Sequence, residues 1–353
     1  TLAQNSEIIE NLRKDAHEFF EHGKFLKALE LFEEILGNSQ HSPEDQISAS
    51  TWDLSGKCGF DNFGELILTL HKSTILTSLD LSSNELGPFG GKAIADVLCK
   101  NTTLISLNLE CNNLGSGGEK VLASALCTNS TLKYLNLNSN ELGSEGGKAL
   151  ADALCKNTTL ISLNIESNNF GSEGGKALAD ALSLCKNTTL KNFDIRDNNL
   201  GGGEAIVNAL CKNTTLTSLD LRSNGLGSKE EKVLADVLCK LITITSLDLY
   251  DNKLGSDEGK VLANALYRNT TLTSLNLGSN ELGQKEEKQG GKALADALCN
   301  KSSLNFLNLR SNNLELNGGY ALIEALCKNT TLKNLDLQDN NLRGGEAIKE
   351  EKN

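Results

Sequence analysis

From residue 76 onward the chain repeats one arrangement of apolar and polar positions. Leu132, Leu135 and Leu137 follow the order L-x-x-L-x-L, and Asn140 and Leu142 come next. The same frame begins at Leu76, Leu104, Leu132, Leu160, Leu190, Leu216, Ile244, Leu272, Leu304 and Leu332. The steps are 28, 28, 28, 30, 26, 28, 28, 32 and 28 residues, a period that marks a stack of small structural units. Leu135 and Leu137 alternate with polar neighbours, which predicts a short strand with one buried face. Further on, Leu150, Ala153 and Leu154 share one helical face while Lys148 and Asp152 lie elsewhere on the helix. Each unit reads strand, turn, helix, turn. Neither element can bury its apolar face alone, so neighbours must close the core. Strands separated by a helix in this way are predicted to run parallel.

Two further columns recur. Asn84, Asn112, Asn140, Asn168, Asn198, Asn224, Asn252, Asn280, Asn312 and Asn340 follow the strands where the chain turns inward. A buried turn strands backbone groups that need partners, and an amide side chain offers both a donor and an acceptor. A hydrogen-bonded asparagine ladder is expected, with a structural role. Glycine pairs such as Gly90-Gly91, Gly117-Gly118, Gly146-Gly147 and Gly174-Gly175 precede most helices. No GxGxxG or GxxxxGK[ST] pattern accompanies them, so they are read as tight turns and sites of close helix approach rather than phosphate cradles.

The pattern L-x-x-L-x-L-x-x-N-x-L, with 28-residue units and a G-x-x-x-L-A-x-A-L helix, resembles the ribonuclease-inhibitor-like class of leucine-rich repeats (LRRs). Similar repeats occur in ribonuclease inhibitor, the repeat domains of NOD-like receptors and the activating protein for the Ran GTPase. The resemblance implies an α/β fold: a right-handed solenoid, or horseshoe, with a parallel sheet on the concave face and helices on the convex face. Such repeats serve many partners, so the match specifies fold far more than function.

The ends depart from the repeat. Residues 76–353 hold ten repeats, the last one incomplete. Residues 43–75 read as a degenerate capping repeat, with Trp52-Asp53-Leu54 in the register of Leu79-Asp80-Leu81 and Lys57 in place of the asparagine. Residues 1–42 carry Leu12, Ala16, Phe19, Phe20, Ala28, Leu31, Phe32 and Ile35 at helical spacing, broken at His22-Gly23-Lys24. This hairpin resembles a single tetratricopeptide (TPR) motif. Two readings stay open: it covers the N-terminal end of the solenoid, or it is a docking module. A truncated chain or a partner is expected at the C-terminal end, where no cap follows Gly344-Gly345. Four extra residues within Gln284–Gln289 are expected to bulge on the rim, as a tolerated loop in preference to a contact site.

Composition narrows the partner classes. The chain has 353 residues and a formal net charge of -12, which argues against nucleic acid or an anionic membrane surface. No apolar stretch is long enough for a membrane span, and no leader is visible. Only four histidines occur and no CxxC pair, so no metal and no cofactor are expected. His17, His22, His41 and His71 all precede the regular array, so no Ser/His/Asp set forms and the chain is read as a non-enzyme.

Cys99, Cys127, Cys155, Cys185, Cys211, Cys239, Cys299 and Cys327 fill one column after the last helical leucine, with Tyr267 in the remaining place. Packed helices lie about 8–10 Å apart and a disulfide needs Cα atoms about 4.4–6.8 Å apart. Column neighbours are therefore not expected to bridge, and the thiols are read as small and buried in a reducing compartment. Asn101, Asn129, Asn157, Asn187, Asn213, Asn269 and Asn329 open formal glycosylation sequons. The repeat alone explains them as turn residues in a cytoplasmic protein; an extracellular, glycosylated form is the alternative.

Function is placed on the concave face. The column Asp80 to Asp336 holds only Asp and Asn, read as solvation of the sheet. The neighbouring columns vary, as partner contact would require. Arg196, Arg222, Tyr250 and Arg310 form the candidate patch, with Tyr134 and Phe306 further along, since Arg and Tyr are frequent interface anchors. The expected function is a scaffold that binds a protein partner, not a small molecule. The alternatives that the resemblance implies are a small-GTPase regulator of the Ran GTPase-activating type and a ligand-sensing fragment of a larger NOD-like receptor.

Overall fold

The computed structural model describes residues 2–57, 60–184, 187–201, 204–210, 212–227, 243–283, 289–299 and 303–342. The chain divides into two compact units, Thr1–Leu142 with Asp152–Ile165 and Gly143–Ala151 with Glu166–Asn353. The first opens with helices α1 (Leu2–Glu21), α2 (Phe25–Gly37) and α3 (Pro43–Ser50). Strands β1 (Thr51–Asp53), β2 (Ser78–Asp80), β3 (Ser106–Asn108), β4 (Tyr134–Asn136) and β5 (Ser162–Asn164) follow. They alternate with α4 (Phe60–Lys72), α5 (Gly87–Leu98), α6 (Gly115–Leu126) and α7 (Gly143–Lys156), whose residues are divided between the units. Each strand pairs parallel with the next. Trp52 stands opposite Leu79, then Leu79 opposite Leu107, Leu107 opposite Leu135 and Leu135 opposite Leu163.

The second unit repeats the plan. Its strands are β6 (Asn192–Asp194), β7 (Ser218–Asp220), β8 (Ser246–Asp248), β9 (Ser274–Asn276), β10 (Phe306–Asn308) and β11 (Asn334–Asp336). Its helices are α8 (Gly171–Leu184), α9 (Glu204–Leu210), α10 (Ser256–Arg268), α11 (Gln289–Cys299) and α12 (Glu315–Lys328). Pairing is again parallel and in register, from Phe193 opposite Leu219 to Leu307 opposite Leu335. Both units are α/β solenoids, a parallel sheet flanked by helices.

The strands are three residues long because the chain then turns inward through left-handed backbone. In nine of the ten repeats two non-glycine residues at φ between 50° and 60° bracket the asparagine, as Ser83 and Glu85 bracket Asn84 and Ser139 and Glu141 bracket Asn140; beside Asn224 the second is Gly225 at φ 64°. Non-glycine residues in this region are strained, so something must hold each turn. The asparagines do so. Asn112 Nδ2 donates to the carbonyls of Leu81, Leu109 and Glu110 at 2.8, 3.0 and 3.1 Å, while its Oδ1 accepts from the Asn84 and Leu86 nitrogens. In the second unit Asn252 bonds the Leu221 carbonyl and accepts from Asn224 and Leu226 in the same way.

Between sheet and helices lies a continuous interior of leucine. Leu76, Leu79, Leu81 and Leu86 are buried from the strand side, and Ile94, Val97 and Leu98 from the helix side. The glycine pairs sit inside the first helical turn rather than before the helix, because neighbouring helices touch there. A Cβ on Gly147 would lie 2.9 Å from Gly174 Cα. At the N-terminal end Trp52 occupies the strand position held by leucine elsewhere. Its ring lies 5.3, 6.0 and 6.4 Å from those of Phe20, Phe25 and Phe32. Arg13 of α1 clasps Asp45 of α3 through two 2.6 Å bonds, and Asp45 also closes a capping box with Ser42.

The cysteine column departs from expectation twice. Cys99 and Cys327 are exposed, and Cys127 and Cys299 half-buried, because the column lies past the last inward-facing leucine. Cys155 is disulfide-bonded, whereas Cys99, Cys111, Cys127, Cys299 and Cys327 are free. The spacing of helix axes does not bound a residue in the last turn, whose side chain projects away from its axis. Residues 284–288, the C-terminal segment from 343, and Cys58, Cys185, Cys211 and Cys239 lie outside the described residues.

Candidate functional site: the sheet face of the second unit

Side chains between the buried strand leucines project from the sheet. In the second unit the register of β6, β7 and β8 brings Asp194, Asp220 and Asp248 side by side. Two residues along each strand come Arg196, Arg222 and Tyr250, so three of the predicted residues stand in successive repeats.

The arginines are already engaged. Arg196 Nη2 reaches Asp194 Oδ2 at 2.8 Å and also pairs with Glu166, and its Nε lies 3.5 Å from Asp220. Arg222 Nη2 reaches Asp220 Oδ2 at 2.8 Å, and its Nε lies 3.5 Å from Asp248. Asn276 donates to the same oxygen, Asp248 Oδ2, at 2.9 Å. Four carboxylates, Glu166, Asp194, Asp220 and Asp248, thus share two guanidiniums, and the row keeps an excess of negative charge. Desolvation pushes the carboxyls of Asp194, Asp248 and Glu166 above their ordinary values, opposed by the nearby arginines. The Asp220 hydrogen bond raises the Arg222 guanidinium. Carboxylates and guanidiniums thus alternate along the row, with each of the four acids in reach of an arginine.

Tyr250 is half-buried rather than free. Its ring fills the space that a Gly278 side chain would take, since a Cβ there would lie 2.7 Å from Tyr250 Cδ2. Arg310 stands apart, paired with Asp339 at 2.8 Å and 47% exposed. Phe306 is 38% exposed at the start of β10. Tyr134 is 46% exposed on β4 and belongs to the first unit, not to this row. Among the described residues no group of three or more His, Cys, Asp or Glu could hold a metal ion, and no helix is long and apolar enough to cross a membrane.

The sequon asparagines, expected as turn residues, form a second set of amide bonds between repeats. Asn101, Asn129, Asn157 and Asn269 are buried. Nδ2 of Asn101, Asn129 and Asn157 donates to the carbonyls of Leu70, Leu98 and Leu126 in the preceding repeat, at 3.0, 2.9 and 2.8 Å. Their Oδ1 atoms accept from the Leu104, Leu132 and Leu160 nitrogens at 2.8 Å. The signal was present in the sequence as a strict repeat of asparagine at this site.

A family model described as leucine-rich repeat matches residues 72–95, 100–123, 128–151, 156–179, 212–229, 268–285, 300–322 and 328–347. Among solved structures the chain is similar to the leucine-rich repeat-containing protein LegL7 from Legionella pneumophila, at 23% identity and a TM-score of 0.48, over 75% of this chain and 85% of that one. It is also similar to the actin-binding site 2 of leiomodin-1, at 23% identity and a TM-score of 0.32, over 37% of this chain and 75% of the other. A third structure, TLR13 in complex with ssRNA13, is 19% identical with a TM-score of 0.42, over 78% of this chain and 35% of that chain. No curated protein matches. The repeat frame, the strand register and the matched segments agree: the chain belongs to the leucine-rich repeat proteins.

Proposed function

We propose that this protein is a non-catalytic scaffold that binds a protein partner, and that the partner brings cationic side chains to the sheet face of the second unit. The observation that carries this reading is the row from Glu166 to Asp248, where carboxylates outnumber guanidiniums and Arg196 and Arg222 are held by their own neighbours. The arginines then act as positioning groups and the acidic oxygens as the contact. Tyr250, Phe306 and Arg310 extend the surface, and Tyr134 offers a separate aromatic contact on the first unit. Large repeat surfaces bind proteins through many distributed contacts, which suits this face. Small-GTPase regulation and a sensing role within a larger NOD-like receptor gain no support from this arrangement of side chains.

The helical segment 1–42 is read as TPR-like and as the cover of the first repeat, supported by the packing of Phe20, Phe25 and Phe32 on Trp52. A cytoplasmic location is supported by the engaged sequon amides and opposed by the bonded Cys155.

The test is a fluorescence titration with a labelled Arg/Lys-rich peptide, beside its Glu-rich counterpart, at several salt concentrations. Binding of the basic peptide that weakens steeply with salt, and is lost in Asp220→Asn with Asp248→Asn, is expected. Equal binding of both peptides, or binding unaffected by the double substitution, would remove the assignment.

A further inference from the structure

Asn224 is the one ladder asparagine followed by glycine. The asparagines one repeat to either side are followed by Asn199 and Lys253, which take the same left-handed backbone at φ 51° and 58°, against 64° for Gly225. Space does not demand the glycine either, since a Cβ on Gly225 would meet nothing within 4 Å. An asparagine before glycine is the pair most open to hydrolysis by its own backbone, because no side chain screens the glycine nitrogen. That nitrogen forms a bond to the asparagine Cγ and gives up its proton, Nδ2 leaves as ammonia, and water opens the cyclic imide to aspartate or isoaspartate.

The closed turn holds this reaction off. Asn224 is buried, and its Nδ2 donates to the carbonyls of Ile195, Leu221 and Arg222 at 2.9, 3.1 and 3.1 Å. Its Oδ1 accepts from the Asn198 nitrogen at 3.0 Å. Bringing Cγ onto the Gly225 nitrogen and expelling Nδ2 both require these four bonds to break. The backbone is held as well, by the Asn224 N–H on Asn252 Oδ1 at 3.1 Å. The chain's other Asn-Gly pair, Asn317-Gly318, lies in the first turn of α12, with Asn317 exposed and outside the ladder.

We propose that Asn224 is a hydrolytic clock in the second unit: each opening of its turn exposes Cγ to the Gly225 nitrogen, and the product keeps the turn from closing again. Aspartate at this place sets a buried carboxylate against three carbonyls, which offer it no donor. Isoaspartate adds a methylene to the main chain and breaks the spacing of the turn. Four hydrogen bonds of ordinary net strength set hydrolysis in the closed turn roughly a thousandfold below that of the open chain. The rate of conversion therefore counts openings of this one joint. Because Asn224 also holds the Arg222 carbonyl, a converted chain would lose the order of the row Asp194, Asp220 and Asp248. That consequence rests on the binding face proposed above, whereas the hydrolysis does not.

Peptide mapping by mass spectrometry tests this on the full chain, kept at weakly alkaline pH either folded or unfolded in urea. In urea, Asn224 and Asn317 are expected to convert together and well ahead of Asn252. In the folded chain, conversion of Asn224 is expected to fall by roughly a thousandfold and to rise again with urea below the unfolding transition. On return to buffer, the protease-resistant fraction should hold chains converted at Asn317 but not chains converted at Asn224. Gly225→Lys, which installs the residue that follows Asn252, should abolish the fast conversion in urea. Equal conversion of folded and unfolded chain would overturn the proposal. So would conversion of Asn224 in urea no faster than that of Asn252, or recovery of the Asn224 product in the resistant fraction as fully as the Asn317 product.

Discussion

The side-chain oxygen of Asn112 lies 3.1 Å from the backbone nitrogen of Asn84, one repeat earlier, and 3.3 Å from that of Leu86. One amide therefore holds its own turn and the turn before it. Replacing Asn112 by Ala removes the acceptor of these two donors, while the Leu81 and Leu109 carbonyls each keep an amide donor, from Asn84 and Asn140. We expect a loss of about 3 kcal/mol in urea unfolding, larger than for loss of a single hydrogen bond. Asn112→Asp keeps the acceptor but sets a buried carboxylate against the carbonyls of Leu81, Leu109 and Glu110, so it should cost at least as much as alanine. A loss below about 1 kcal/mol for alanine would show that water replaces the amide.

Glu141 sits at φ 56° and is exposed, while Gly143, at φ 65°, has open space where a Cβ would stand. The two positions separate backbone strain from packing. Glu141→Gly should stabilise by about 0.5–1 kcal/mol, and Gly143→Ala should destabilise by about 1 kcal/mol. Thermal unfolding of the two variants against the parent checks both signs.

The clasp between Arg13 and Asp45 gives an acid-sensitive contact. Hydrogen bonds from Arg13, and then from Ser42, hold the Asp45 carboxyl down to about 2 from 3.8. The stabilisation is present above 3.8 and is lost as pH falls through about 2. Asp45→Asn should cost about 1–2 kcal/mol at pH 7 and nothing below pH 2, measured by denaturant unfolding at both pH values.

The sequon amides make a prediction about modification. Nδ2 of Asn129 is the atom a glycan would take, and it is committed to the Leu98 carbonyl at 2.9 Å. If the chain is sent through a secretory pathway, peptide mapping of the folded, protease-resistant fraction should find Asn101, Asn129 and Asn157 bare. Full occupancy in that fraction would contradict the buried hydrogen bonds.

Much of this was legible in the spacing of leucines. Leu79, Leu107 and Leu135 predict the strand register without ambiguity, since a shift of one residue would turn each of them to solvent. Three features were not. The pairing of Arg196 with Asp194 and Glu166 depends on which neighbour a long side chain chooses, and identity at a column does not state that. The exposure of Cys99 turns on one residue of helical phase past Leu98. The burial of Glu119, at the place held by Gly91 and Gly147 in the neighbouring repeats, was hidden because the pair Gly117-Gly118 resembles Gly90-Gly91 while standing one residue out of frame.

The direction in which the amides reach gives the array two unlike ends. Within each unit, asparagines such as Asn112, Asn140 and Asn252 point their nitrogen toward a carbonyl of the repeat before and are themselves addressed by backbone N–H groups of that earlier repeat. Shortening the array from the front would leave side-chain donors idle, while shortening it from the back would orphan backbone N–H groups. Cuts made in whole units keep all interior joints, so the array can be engineered to new lengths, provided that each terminus receives a seal of its own kind.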